Sequence, residues 1–184
     1  MFKPVAKMLG LAVLAASASA ASAALISSGV ADVTGTWSFD FDTGTQGNYI
    51  TDSGQDAWWE QITSTTRQLV PTNGAQIVNL GNITFATLTD SALEGLTYGS
   101  TPIVGSDVGN VLTFGNVFAV KTSDGNYAKV LVSAPFFDAT NNNGLIFYYE
   151  TYSPAVPEPG SVAMVLAGVG VAACGARRRK HLPI

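Results

Sequence analysis

Carboxylates and tryptophans supply most of the side-chain chemistry that this 184-residue chain offers. The single cysteine, Cys174, and the single histidine, His181, both fall in the last stretch of the chain. A domain cut free of that stretch has no disulfide, zinc site, haem ligation through His or Cys, Ser-His-Asp triad or Cys-His nucleophile. Glycoside hydrolysis stays chemically open, because it needs only two carboxyl groups at a set separation across the scissile bond. Glu60, Glu94, Glu150 and several aspartates are present, but no spacing selects a pair. No catalytic residue is therefore assigned, and the expectation is a protein that is not an enzyme. Asp40, Asp42, Asp52 and Asp56 offer the hard oxygens that Ca²⁺ takes. Gly44 and Thr45, however, stand where an EF-hand loop needs a ligand and its glycine. The same four residues also read as a solvated acidic face, so no metal ligand is assigned and no cofactor is expected, with Ca²⁺ the candidate ion if these carboxylates gather. Trp58 and Trp59, flanked by Asp56 and Glu60, are candidate glycan-binding residues, since flat aromatic faces pack against sugar C–H surfaces. Neighbouring strand residues point to opposite faces, so at least one of the two belongs to the core.

The elements that must position these groups read as β-structure. Turn signals recur at Asp42-Thr43-Gly44, Ser53-Gly54, Asn73-Gly74, Gly81-Asn82, Asp124-Gly125 and Asn141 to Gly144. Between them lie short runs rich in Val, Ile, Thr, Tyr, Phe and Trp, the signature of an all-β sandwich or barrel-like domain. Trp37 to Asp42 alternates strictly, placing Trp37, Phe39 and Phe41 on one face and Asp40 and Asp42 on the other. Val117 to Val132 reads as a hairpin. A two-residue Asp-Gly turn would set Lys129 opposite Val120, whereas a three-residue loop with Gly125 in a bulge pairs Val120 with Ala128. The second register gathers Phe118, Val120, Ala128, Val130 and Val132 on one face and is preferred. Leu145 to Tyr152 is expected to continue the meander. The one predicted helix opens at Ser91, with Glu94 at capping-box spacing, and runs about two turns towards Gly99.

Both ends of the chain carry apolar runs. Lys3 and Lys7 precede Met8 to Ala16, and small residues follow, which is the layout of a signal peptide over 1–23. Cleavage is placed after Ala23, with Ala21 and Ala23 as the small residues read by signal peptidase, and Ala20 as the alternative. The apolar run is far shorter than the roughly 20 residues a spanning helix needs. The expected exported domain, 24–155, keeps Arg67, Lys121 and Lys129 against every acid of the chain except Glu158. Such an acidic surface repels phosphate backbones, so nucleic acid is not an expected partner. At the other end, residues 160–176 carry no charge and are marginally long enough to span a bilayer, and Arg177, Arg178, Arg179 and Lys180 follow. By the positive-inside rule these cations hold the tail on the cytoplasmic side. Pro157, Glu158 and Pro159 then sit at the outer boundary, where the prolines stop the helix and leave an extended peptide.

This order of features over 156–180 resembles the tail of PEP-CTERM sorting-domain proteins, which also begin with a secretion signal. The resemblance implies that Pro157, Glu158 and Pro159, with the basic run Arg177 to Lys180, are recognised by an exosortase-like membrane protease. Cleavage near Pro-Glu-Pro would follow a transient stay in the inner membrane, with delivery to the cell surface or the extracellular space. Members are typical of Gram-negative bacteria that make exopolysaccharide and biofilm matrix. The expected role is accordingly structural or adhesive within such a matrix, with extracellular polysaccharide as partner. A carbohydrate-binding module is the alternative, and a carboxylate-dependent glycan hydrolase comes third.

Overall fold

The computed structural model describes residues 22–63, 66–105, 111–134 and 144–156. Among these residues ten strands alternate with turns: β1 (Leu25–Val33), β2 (Trp37–Asp40), β3 (Thr45–Asn48), β4 (Ala57–Gln61), β5 (Arg67–Pro71), β6 (Gln76–Gly81), β7 (Ile103–Val104), β8 (Val117–Lys121), β9 (Tyr127–Ala134) and β10 (Leu145–Tyr152). They form two antiparallel five-stranded sheets, ordered β1-β10-β9-β8-β6 and β3-β2-β4-β5-β7. Among the described residues the secondary structure is otherwise one short helix, α1 (Asp90–Glu94), and a 3₁₀ turn at Phe85–Thr87. The described domain is therefore all-β, and its two sheets face each other across a shared core, the layering of a β-sandwich.

The core follows from period-two alternation. Along β10, Leu145, Phe147, Tyr149 and Thr151 are buried while Ile146, Tyr148, Glu150 and Tyr152 are half-buried. Phe39 of β2 and Phe41 of the turn after it reach them from the opposite side of the core, and the Phe39, Phe41, Phe147 and Tyr149 rings meet mostly edge-on at centroid separations of 5.0–6.2 Å. Edge-to-face contact adds to the area that each ring buries. The β8–β9 hairpin takes the preferred register, with Val120 opposite Ala128. Its loop closes through Thr122 N–H to Asn126 O (2.9 Å) and Gly125 N–H to Thr122 O (3.0 Å). Gly125 has φ +86°, a left-handed conformation that a side chain would disfavour.

Two expectations are corrected. The strand that begins at Trp37 ends at Asp40 rather than Asp42, because Asp40 Oδ1 accepts the N–H groups of Asp42 and Thr43 and folds the chain into a turn. Trp37 does not join Phe39 and Phe41 in the core but lies exposed at the strand's first position, while Ser38 is fully buried. The helix is capped by Thr89, whose hydroxyl accepts Ala92 N–H, and it stops at Gly95, short of Gly99. Ser91 lies inside it, and Glu94 instead accepts the N–H of Ala155. Leu93 from this helix, with Phe85, Leu96 and Tyr98, packs over Val117, Ala119 and Leu131 and builds a second small core on the outer face of the first sheet.

Ser22 and Val156 form an isolated antiparallel bridge, so the described ends lie side by side. Ala21, the apolar runs, Pro157, Glu158, Pro159, Arg177, Arg178, Arg179 and Lys180 lie outside the described residues, as does the Asn-rich turn up to Asn143. Among the described residues no helix is long and apolar enough to cross a membrane.

Candidate functional site

The two tryptophans of β4 part company. Trp59 is 0 % exposed and packs in the shared core against Gly105, where an added Cβ would lie 2.4 Å from the indole. Alternation turns Trp58 outward, over buried Ser38 across the β2–β4 pair. Of the two sequence candidates, Trp59 is therefore out of reach of any ligand, and Trp58 remains. Three residues that sequence reasoning passed over join it. Tyr49 lies parallel to the Trp58 ring at 4.0 Å and 4°. Trp37 is 42 % and Ile50 87 % exposed, and with Thr36 and Asn48 these side chains line a hollow of about 260 Å³.

Local hydrogen bonds fix this patch. Thr36 has φ 72°, a conformation rare for a β-branched residue. It is held there because its N–H donates to Trp59 O (3.0 Å) and its carbonyl accepts Trp58 Nε1–H (3.1 Å). The loop carrying Tyr49 and Ile50 is closed reciprocally: Asp52 Oδ2 accepts Asn48 N–H (2.6 Å) and Asn48 Oδ1 accepts Ile50 N–H (2.9 Å). No single-strand pattern reveals this grouping, since Tyr49 belongs to a turn and Trp37 carries the parity of the core face.

The four aspartates also separate. Asp40, Asp42 and Asp56 each place a carboxylate oxygen within 4.8 Å of the others, whereas Asp52 belongs to the aromatic loop. Each of the three already serves the fold. Asp56 Oδ2 accepts Phe41 N–H (2.9 Å) and Oδ1 accepts Ser123 N–H (2.7 Å), which ties the β2 turn to the β8–β9 loop. Asp42 Oδ1 accepts Asn126 Nδ2–H (3.1 Å). Burial pushes the Asp56 carboxyl up to about 6, against the two backbone N–H groups that favour its charged form. Burial and the neighbouring acids also raise Asp42.

A carboxyl whose folded value lies above its unfolded one binds its proton more tightly in the native state. Its stabilising effect is full below about pH 4 and is lost as pH rises towards about 6, a change on the order of 3 kcal/mol. The denaturation midpoint is expected to fall between pH 4 and pH 7, and Asp56→Asn to flatten that slope. An unchanged slope in the variant would place the titration elsewhere.

Glu150, one of the candidate catalytic carboxylates, faces the second core. It accepts bonds from the Tyr148 hydroxyl (2.8 Å) and the Tyr152 hydroxyl, and pairs with Lys129 Nζ at 2.9 Å. The Lys129 ammonium also lies 4.5 Å from the Phe85 ring centroid. Burial works to raise the Glu150 pKa, but the three donors and the lysine charge outweigh it and hold the carboxyl below its ordinary value. A saturated, ionised carboxylate has neither the proton nor the vacant oxygen that a general acid needs. Glu60 accepts Gln68 Nε2–H on the outer face of the second sheet, and Glu94 is bonded near the C-terminal end of the described chain. Each of the three glutamates flagged by the sequence is thus engaged by the fold.

The family model of the PEP-CTERM protein-sorting motif matches residues 155–180. No curated protein and no solved structure matches the chain.

Proposed function

We propose, from the premise that this chain carries a PEP-CTERM sorting motif and is an exosortase-targeted exported protein, that its β-sandwich serves a structural or adhesive role in an extracellular polysaccharide matrix, without catalysis. The sorting motif carries the reading: processing at the membrane by an exosortase follows export and a transient C-terminal anchor, and delivers the domain where polysaccharide is the abundant polymer. An acidic, disulfide-free sandwich suits that place, being held together by non-covalent contacts. The engagement of Glu60, Glu94, Glu150 and Asp56 in hydrogen bonds supports a non-catalytic role. A carbohydrate-binding role is the second reading, and the aromatic patch beside Trp58 favours it.

Replacing Pro157, Glu158 and Pro159 together by alanine is expected to leave the full-length chain in the membrane fraction. The unaltered protein is expected outside the inner membrane, shortened at its C-terminus and lacking Cys174 and His181. Mass spectrometry of both fractions reads the result, and normal shortening of the triple variant would overturn the sorting role of these residues. For catalysis, the released protein is expected to generate no new reducing ends from extracellular polysaccharide of its host. Sustained turnover would make it a hydrolase.

A further inference from the structure

We infer that the hollow beside Trp58 binds a neutral sugar chain, with a pyranose face laid on the aromatic rings and its hydroxyls met by Asn48 and Thr36. This rests on the reading of an exported protein that meets polysaccharide, and adds the ligand class and the residues that take it.

Shape comes first. The hollow of about 260 Å³ is lined by Thr36, Trp37, Asn48, Tyr49, Ile50 and Trp58, three aromatic rings among six residues. Sites for small organic ligands share this make-up, mostly apolar walls with a few placed polar groups. A second hollow, between β6 and β7, is lined by Ile77, Val78, Pro102, Ile103, Val104 and other residues without a ring to stack on.

Exposure and rigidity add to shape. Trp37, Tyr49 and Ile50 are 42 %, 44 % and 87 % exposed and line one hollow together, and a contiguous apolar patch of this kind marks an interaction site. The Trp58 ring is fixed beforehand by its Nε1–H bond to Thr36 and by its stack on Tyr49. Little side-chain freedom is then left to lose when a ligand arrives.

Charge selects the ligand. None of the six lining residues is charged, while the domain around them is strongly acidic. A polymer bearing carboxylates or sulfates would find no cation here and a repulsive field around it. A neutral glycan meets neither obstacle.

The test uses the full-length chain in a detergent without a sugar headgroup, titrated with neutral gluco-, manno-, xylo- and chito-hexasaccharides and with a polyuronate, followed by tryptophan fluorescence. At least one neutral hexasaccharide is expected to bind with micromolar to millimolar Kd, ahead of the polyuronate. Trp58→Ala is expected to weaken that binding about tenfold or more, and Trp58→Phe to restore most of it. Tyr49→Ala, in an exposed turn and so harmless to the fold, is expected to weaken it as well. Three results would overturn the inference: no neutral sugar binding to the folded chain, unchanged affinity in both alanine variants, or self-association rather than sugar affinity lost in Tyr49→Ala. Delivery to the exterior without sugar binding would remove this inference and leave the proposed function standing. Sugar binding by a chain that stays uncut in the inner membrane would do the reverse.

Discussion

Trp59→Ala is expected to destabilise the domain by about 3–5 kcal/mol, the range for truncating a large buried aromatic side chain. Its indole is fully enclosed, packed on the Gly105 backbone among Phe39, Leu69, Ile103 and Leu112 of the shared core. Gly105 leaves no Cβ that could move in to fill the space, so the cavity stays. Against a total stability of roughly 5–15 kcal/mol for an ordinary domain, that loss is a large share. Urea denaturation followed by far-UV circular dichroism measures it. The same substitution one residue earlier, Trp58→Ala, is expected to leave the fold in place. Equal losses at the two positions would contradict the inside-outside assignment of β4.

Glu150→Gln is expected to cost about 3 kcal/mol, the low end for breaking a buried ion pair. The Lys129 side chain is 8 % exposed and that of Glu150 20 %, so removal of the carboxylate charge leaves an ammonium enclosed by Phe85 and Tyr152 without a counter-charge. The double variant Lys129→Met with Glu150→Leu is expected to recover most of the loss, because apolar residues of similar size avoid both desolvation costs. Acid titration gives an independent readout. Glu150 is held below its ordinary 4.5, so its stabilising effect is present above about pH 4.5 and disappears as pH falls through the lower folded value. That window lies on the acid side of the Asp56 transition and has the opposite sign, so the two are separable in one pH series. A loss under about 1 kcal/mol in Glu150→Gln would assign the pair to the class of exposed salt bridges.

The all-β class and the strands β2, β8, β9 and β10 are legible in the sequence because burial has period two, whereas β1, β3, β5, β6 and β7 are placed only by the structure. Leu145 to Tyr152 is legible as a strand that continues the meander, and the conflict of Lys129 with Val120 decides the hairpin register. The helix start is not legible in the sequence, because capping depends on which hydroxyl has extended backbone beneath it, and Thr89 and Ser91 both carry a hydroxyl within reach. The aromatic patch escaped notice for a related reason. Tyr49 and Trp37 meet Trp58 only because a turn and a left-handed Thr36 bring them there, and neither has a spacing that announces it.

By itself the sequence determined the sorting motif over 155–180 and the all-β class of the described domain. Sorting is read by an enzyme from a contiguous peptide, and strand alternation is a contiguous pattern as well, so both survive in one dimension. Tertiary structure decided which tryptophan is core and which is surface, which three of four aspartates converge, and that Glu150 is locked to Lys129 rather than poised for acid catalysis. Those outcomes depend on residues far apart in the chain: Asp56 meets Ser123 because the two sheets pack together, and Trp59 meets Gly105 because strand order brings β4 and β7 into one sheet, and no local spacing sets either.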